Sequence, residues 1–240
     1  LHQWANLFGH TDASLRLFSV IFALLSVVLV FNNLKQFVKA EHAYLAASFA
    51  ALAPFTIRFG EEARMYTFSS AILLGATLVF VKLLLAKRKD RATWQWILYG
   101  VLITAALYTH YFSVLIVGAH ALMFYMYDAK TSKKTGPIAR IAQLDRRALV
   151  SLGTIFVLFA PWVPTLIDQV STVNEGFWIA SVSPPTIVSL FSMVTVFYEL
   201  LRPTVLFCVA SALGVAFGLV LLRVWPSLKA KEQQVLNVAF

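Results

Sequence analysis

Acidic side chains are scarce in this chain: 11 Asp and Glu stand against 20 Lys and Arg, and charged residues of both signs make up only 13% of 240 positions. Soluble domains carry about a quarter charged residues, so a surface that meets water on all sides is excluded. Cysteine is nearly absent. Cys208 has no intrachain partner, sits in an apolar run and reads as a small hydrophobe that says nothing about compartment. No Cys/His spacing suits zinc, no glycine-rich loop suits a nucleotide, and neither an internal repeat nor a long heptad pattern is present. The opening "LHQWANLFGHTD" lacks an initiator Met, a basic start and a signal-peptide cleavage site, and it reads as a chain missing its true N-terminus.

What the chain has instead is apolar length. Hydrophobic residues make up 60% of it, Phe alone occurs 20 times, and mean hydropathy is +0.77. Apolar segments fall near 14–33, 43–58, 65–86, 93–108, 111–127, 148–167 and 203–223, with an ambiguous stretch at 186–199. A helix crosses a bilayer in roughly 20 residues, so the expectation is an all-α polytopic transmembrane bundle. It has about seven spans in one domain covering 1–240. The 36 residues from Ala92 to Tyr127 carry no formal charge. As one helix they would reach roughly 54 Å, well beyond the roughly 30 Å hydrocarbon core, so they divide at "YTHYF".

Charge orients these segments. Lys87, Arg88, Lys89 and Arg91 precede that double span and Lys130, Lys133 and Lys134 follow it, which places both ends inside and the "YTHYF" turn outside. The same logic makes "RFGEEARMYTF" an outside turn and 129–147 a cytoplasmic loop. The resulting layout puts 16 basic residues inside and four outside. A formal charge of +9 is thereby accounted for by the membrane, and nucleic acid is not an expected partner. Flanked by Pro184, Pro185 and Pro203, the 186–199 stretch reads as an outer-surface or re-entrant helix.

The layout gathers Asp12, Arg16, Arg58, Glu61, Glu62, Arg64, Tyr66, His110, Tyr111, Asp168 and Glu175 at one face. Mutual pairing of Arg58, Glu61, Glu62 and Arg64 is the plain reading, worth roughly 0–1 kcal/mol per exposed pair. The cost of charge near a bilayer favours a functional one. Arg64, Arg58 and Arg16 are candidates for a phosphate, because a guanidinium offers it a planar fork of donors. If "EEARMY" opens the next helix, Glu61 and Glu62 occupy its first turn, where the macrodipole favours anions. Glu62 then orients Arg64 or assists a metal. His110 reads as a donor to phosphate or sugar, as a metal ligand, or as an interfacial histidine in an aromatic belt. His120 reads as helix packing. Trp178, in "NEGFWIASVSPP", is a sugar-stacking candidate or an aromatic anchor.

"FGHTDASLRLFSVIFALLSVVLVF", "APFTIRFGEEARMYTF", "ALYTHYF" and "APWVPTL" together resemble the membrane core of GT-C glycosyltransferases of the family 39 type, over residues 4 to about 224. That family includes protein mannosyltransferases and lipid A aminoarabinose transferases. The resemblance implies a multi-pass enzyme of a bacterial or archaeal plasma membrane. It would transfer a sugar, with inversion, from a polyprenyl-phosphate donor to a protein, lipid or glycan acceptor on the extracytoplasmic face, with membrane lipids as its surroundings. Asp12 and Arg16 match the family's acidic and arginine positions. Glu62, Arg64 and Tyr66 match its E-A-R-x-Y turn, and His110 with Tyr111 its T-H-Y turn. Gly60 and Glu61 stand where the family has Ser-Gln. Its acidic catalytic motif lies in a first outer loop, upstream of residue 1 on this reading, so no catalytic base is named and the fragment alone is expected to be inactive. A divalent metal, Mg or Mn, is an implied cofactor, with Glu62 and His110 as candidate ligands. A transporter, flippase or non-catalytic subunit is the alternative. Transporters place charge on broken helices at midplane, whereas here charge sits at the turns, Glu199 and Arg202 apart.

Overall fold

The computed structural model describes residues 1–130 and 145–175. Trp178, Cys208, the 186–199 helix and the 203–223 span lie outside the described residues. Among the described residues the chain is all helix. A short α1 (His2–Phe8) precedes α2 (Asp12–Leu34), α3 (Ala40–Leu52), α4 (Pro54–Glu61), α5 (Tyr66–Leu85), α6 (Thr93–Thr109) and α7 (Ser113–Lys130). Then α8 (Ala148–Phe159) continues through a 3₁₀ turn (Ala160–Trp162) into α9 (Val163–Glu175). Helices are what charge-free runs of this length form in lipid, because each backbone N–H and C=O is satisfied within its own segment.

Three helices are long and apolar enough to cross a membrane: Asp12–Leu34, Tyr66–Leu85 and the continuous Ala148–Thr172. The pair Ala40–Leu52 and Pro54–Glu61, bent by 52°, is long and apolar enough together for a broken span or a re-entrant loop. The bend sits where chemistry requires it. Pro54 has no N–H to give the helix, and the residue before it, Ala53, is extended at φ −63°, ψ 129°. The apolar segment at 43–58, expected as one span, is therefore two helices. At 17 residues, α6 reaches about 26 Å, the short end of the spanning range.

Local signals explain the boundaries. Gly9, at φ 90°, takes a conformation that a side chain resists and ends α1. Two residues on, Thr11 caps α2 by accepting from the Ser14 N–H at 3.2 Å, with Asp12 in the first turn.

Helix α2 packs with small and polar residues inward and large apolar ones outward. On α2, Ser19, Ala23 and Asn33 are buried while Leu17, Ile21, Leu24 and Val28 are exposed. That polarity suits lipid, where close helix approach and interhelical hydrogen bonds replace the hydrophobic effect. Asn33 Nδ2 donates to Leu29 O of its own helix at 2.8 Å and to Leu74 O of α5 at 3.0 Å. A bond of the second kind contributes about 0.6 kcal/mol in a membrane.

Three contacts order the bundle. Ser19 Oγ donates to Arg64 O at 3.4 Å near the starts of both α2 and α5, so these helices run parallel. The main apolar cluster joins α5, α6 and α7 through Phe80, Leu83, Leu84, Trp96, Tyr99, Ile103 and Phe124. On the far side of α6, a Cβ added at Gly100 would lie 2.8 Å from Thr154 Cβ and 2.9 Å from Ser151 O. Only glycine lets α6 and α8 approach that closely.

Candidate functional site

This order sends the ends of α4, α6 and α8 and the starts of α2, α5 and α7 to one end of the bundle. The segment "GEEARMY" corrects one sequence expectation. Glu61 is the last residue of α4, Glu62 is its extended C-cap at φ −88°, ψ 131°, and α5 opens only at Tyr66. Neither acid lies in the first turn of a helix. Started by Pro54, α4 leaves both acids at its C-terminal end, where the macrodipole favours a cation, and Arg58 in its last turn supplies one.

Glu62 is held between two guanidinium groups. Arg58 Nε stands 3.5 Å from Oε1, four residues back on α4, and Arg64 Nε stands 3.5 Å from Oε2. Although Oε2 is shielded from solvent, it makes no hydrogen bond; the Arg64 contact is an ion pair at the longer distance. Arg64 has 61% of its side chain exposed, so its remaining N–H groups are available at the surface. Its backbone is fixed from two sides, by Ser19 Oγ and by its own N–H donating to Glu62 O at 2.8 Å. Arg16 is exposed on α2, three residues before Ser19 and hence on a neighbouring position of that face. Among the described residues Asp12 and Glu61 stand exposed without a charged partner.

Aromatic rings link this turn to the next. Phe59 on α4 meets Tyr66 edge-on at 4.7 Å, and Tyr66 lies 6.1 Å from the His110 ring. His110 caps α6, and its Nδ1 accepts the Phe112 N–H at 3.3 Å. In the neutral ring the proton is thereby assigned to Nε2, leaving that atom as a donor. Tyr111 turns away from His110. Its hydroxyl donates to Gln169 Oε1 at 2.6 Å and accepts from Trp162 Nε1 at 2.9 Å. Tyr108, which donates to Leu158 O at 2.9 Å, packs against Trp162 at 5.3 Å.

The structure thus brings together Arg58, Glu62, Arg64, Tyr66 and His110, with Tyr111 on the adjoining α8–α9 side. Ser19, Phe59, Trp162 and Gln169 complete the ring of contacts and escaped sequence reading. Their only sequence signal was an aromatic or polar residue beside a helix end. His120 is in the core, as packing requires: its ring stacks on Phe80 at 4.4 Å, with Tyr99 Oη 3.1 Å from Nδ1 and Thr77 Oγ1 3.3 Å from Nε2. Among the described residues no three His, Cys, Asp or Glu side chains converge. Glu62, one of the two expected metal ligands, is already matched by two cations.

Sequence comparison matches residues 2–164 to the dolichyl-phosphate-mannose-protein mannosyltransferase family. The match takes in every residue of the cluster just described except Gln169. The chain belongs to that family. Its kind is the membrane glycosyltransferase, and the apolar outer faces of α2, α5 and α8 agree. No curated protein and no solved structure matches the chain.

The end opposite the mannosyltransferase family's turns holds a second charged group that sequence reading overlooked. Asp145 and Arg91 are 4% and 3% exposed, and Asp145 Oδ2 lies 3.5 Å from Arg91 Nη1. Arg147 donates through Nε and its backbone N–H to Asp145 Oδ1, each at 3.1 Å, and reaches the carbonyls of Arg88 and Arg91. Burial pushes the Asp145 carboxyl up. Hydrogen bonds from the Arg147 side chain and backbone, with the charges of Arg147 and Arg91, outweigh burial and hold it below its ordinary value. This lock ties the α5–α6 turn to the start of α8.

Proposed function

We propose that Arg64 holds the phosphate of a polyprenyl-phosphate-linked sugar, and that the sugar passes with inversion to a protein, lipid or glycan acceptor on the extracytoplasmic face. One observation carries this reading: Glu62 is bracketed by Arg58 and Arg64, yet Arg64 remains mostly exposed. Arg16 is a further exposed guanidinium at this end, where Asp12 and Glu61 are also exposed.

In the reaction, the acceptor oxygen or nitrogen forms a bond to the anomeric carbon while the bond from that carbon to the phosphate oxygen breaks on the opposite side. The electron pair stays with polyprenyl phosphate, and negative charge grows on it. Preorganised guanidinium groups aimed at that charge lower the barrier, because they are in place before it develops. Glu62 fixes the fork of Arg64, and Ser19 fixes its backbone. On this reading Nε2–H of His110 donates to a sugar hydroxyl or phosphate oxygen, a role supported by its ring lying beside Tyr66. The acceptor proton leaves to a general base, a role given to none of the described residues.

The test is sugar transfer by the intact protein in membranes, with polyprenyl-phosphate mannose as donor. Loss of one charged donor at a transition-state anion costs on the order of 100-fold in rate, so Arg64→Ala is expected to fall by that order and Arg64→Lys to recover only part of it. Unchanged turnover in Arg64→Ala would remove the phosphate role from this residue.

A further inference from the structure

Far from the Arg64 turn, in the basic half of the bundle, α6, α7 and α8 enclose a cleft of about 520 Å³. That is within the roughly 300–1,000 Å³ of small-molecule pockets. Its lining is mostly apolar. The inner part is lined by Val117, Leu152 and Ile155, with Tyr99 and His120 hydrogen-bonded to each other, and the outer part carries Asp145, Arg146 and Trp96.

Two features at the outer part lack a partner among the described residues. Trp96 is 2% exposed, and its indole N–H is shielded from solvent with no acceptor among the described residues. A buried donor left this way costs about 1–3 kcal/mol, which an acceptor from outside the chain would relieve. Arg146 is exposed and, among the described residues, has no ion pair. Asp145 beside it does not cancel that charge, since its carboxylate is spent on Arg91 and Arg147. Lys87, Arg88 and Lys89 are exposed close by, because the Arg147 guanidinium donates to Arg88 O.

We propose that this cleft binds an anionic glycerophospholipid from the leaflet on the basic side. One acyl chain lies against Val117, Leu152 and Ile155, an ester or phosphate oxygen accepts the Trp96 N–H, and Arg146 pairs with the phosphate. Charge complementarity selects an anionic headgroup, and the mostly apolar lining selects a lipid over a free phosphate. The bound lipid bridges α7 and α8 at the end where Asp145 locks α8 to the α5–α6 turn.

The probe is dibrominated phosphatidylglycerol in phosphatidylcholine nanodiscs holding the full chain, with Trp96 quenching taken as wild type minus Trp96→Phe. Phosphatidylglycerol is expected to quench Trp96 at lower mole fraction than dibrominated phosphatidylcholine. Arg146→Gln should narrow that preference about fivefold, the contribution of one Arg near an anionic lipid. Ala121→Phe, which fills the cleft from an exposed position on α7, should abolish quenching while the protein still elutes as a single species. Quenching that ignores the headgroup and both variants overturns the proposal. So does Trp96 that no brominated lipid reaches, as when another part of the chain or a second copy fills the cleft. Competition by soluble glycerol phosphate would also overturn it, by showing a phosphate site in place of a lipid site.

Discussion

Asp145 shows what one residue decides at the basic end. Its carboxyl titrates below the ordinary value because Arg147 and Arg91 favour the charged form more than burial disfavours it. A carboxyl with a depressed folded pKa contributes stability that is present above its unfolded pKa, about 4, and lost as pH falls through the folded value. Thermal unfolding of the intact protein in detergent, followed from pH 7 down to pH 3, should therefore show a fall in midpoint below about pH 4. Asp145→Asn should lack that component. At neutral pH the same substitution leaves Arg91 buried without its carboxylate, at a cost of about 3 kcal/mol, read as a lower melting midpoint. An Asn variant as stable as wild type at pH 7 would show that the lock contributes nothing. Sequence reading missed this residue because one acid in a basic loop looks like any solvated charge. Its burial depends on Arg91, 54 positions away in the chain.

At the scale of elements, apolar runs translated into helices almost directly. The segments expected at 14–33, 65–86, 93–108 and 111–127 appear as α2, α5, α6 and α7 within a few residues. Breaks were harder to read. Pro54 divides the run at 43–58, and the acids of "GEEARMY" fall at the end of α4, since a cap depends on which neighbouring helix captures the turn. Gly100 is the element-scale counterpart, one glycine among ten whose role appears only when Ser151 and Thr154 of α8 stand against it. Gly100→Leu would force α6 and α8 apart or force side chains off their rotamers, at about 1–3 kcal/mol. A lowered melting midpoint is expected for this variant. Gly75, where an added Cβ meets nothing within 4 Å, is the control, and Gly75→Ala should unfold like wild type. Equal losses at both positions would mean that close approach at Gly100 is not what matters.

For the whole molecule, the decisive feature is that alternate helix ends collect at opposite poles, with Arg58 and Arg64 at one and Lys35, Lys39 and Lys87 to Arg91 at the other. Single cysteines at Gly60 and Thr109 should react with an impermeant maleimide added from outside intact cells. A cysteine at Lys134 should react only after permeabilisation. The opposite pattern would place the Arg64 turn on the cytoplasmic side and contradict the proposed acceptor face. Composition alone determined that this is a helical membrane chain, because runs with few charges satisfy their backbone in lipid only as helices. Charge asymmetry supplied the expected orientation. Only the tertiary structure decided which residues within each pole meet. It set Glu62 between Arg58 and Arg64, Tyr66 beside His110, Tyr111 on Gln169, and Asp145 under Arg91. Such contacts depend on how far each helix runs and how closely its neighbour approaches, and those quantities belong to packed pairs of helices.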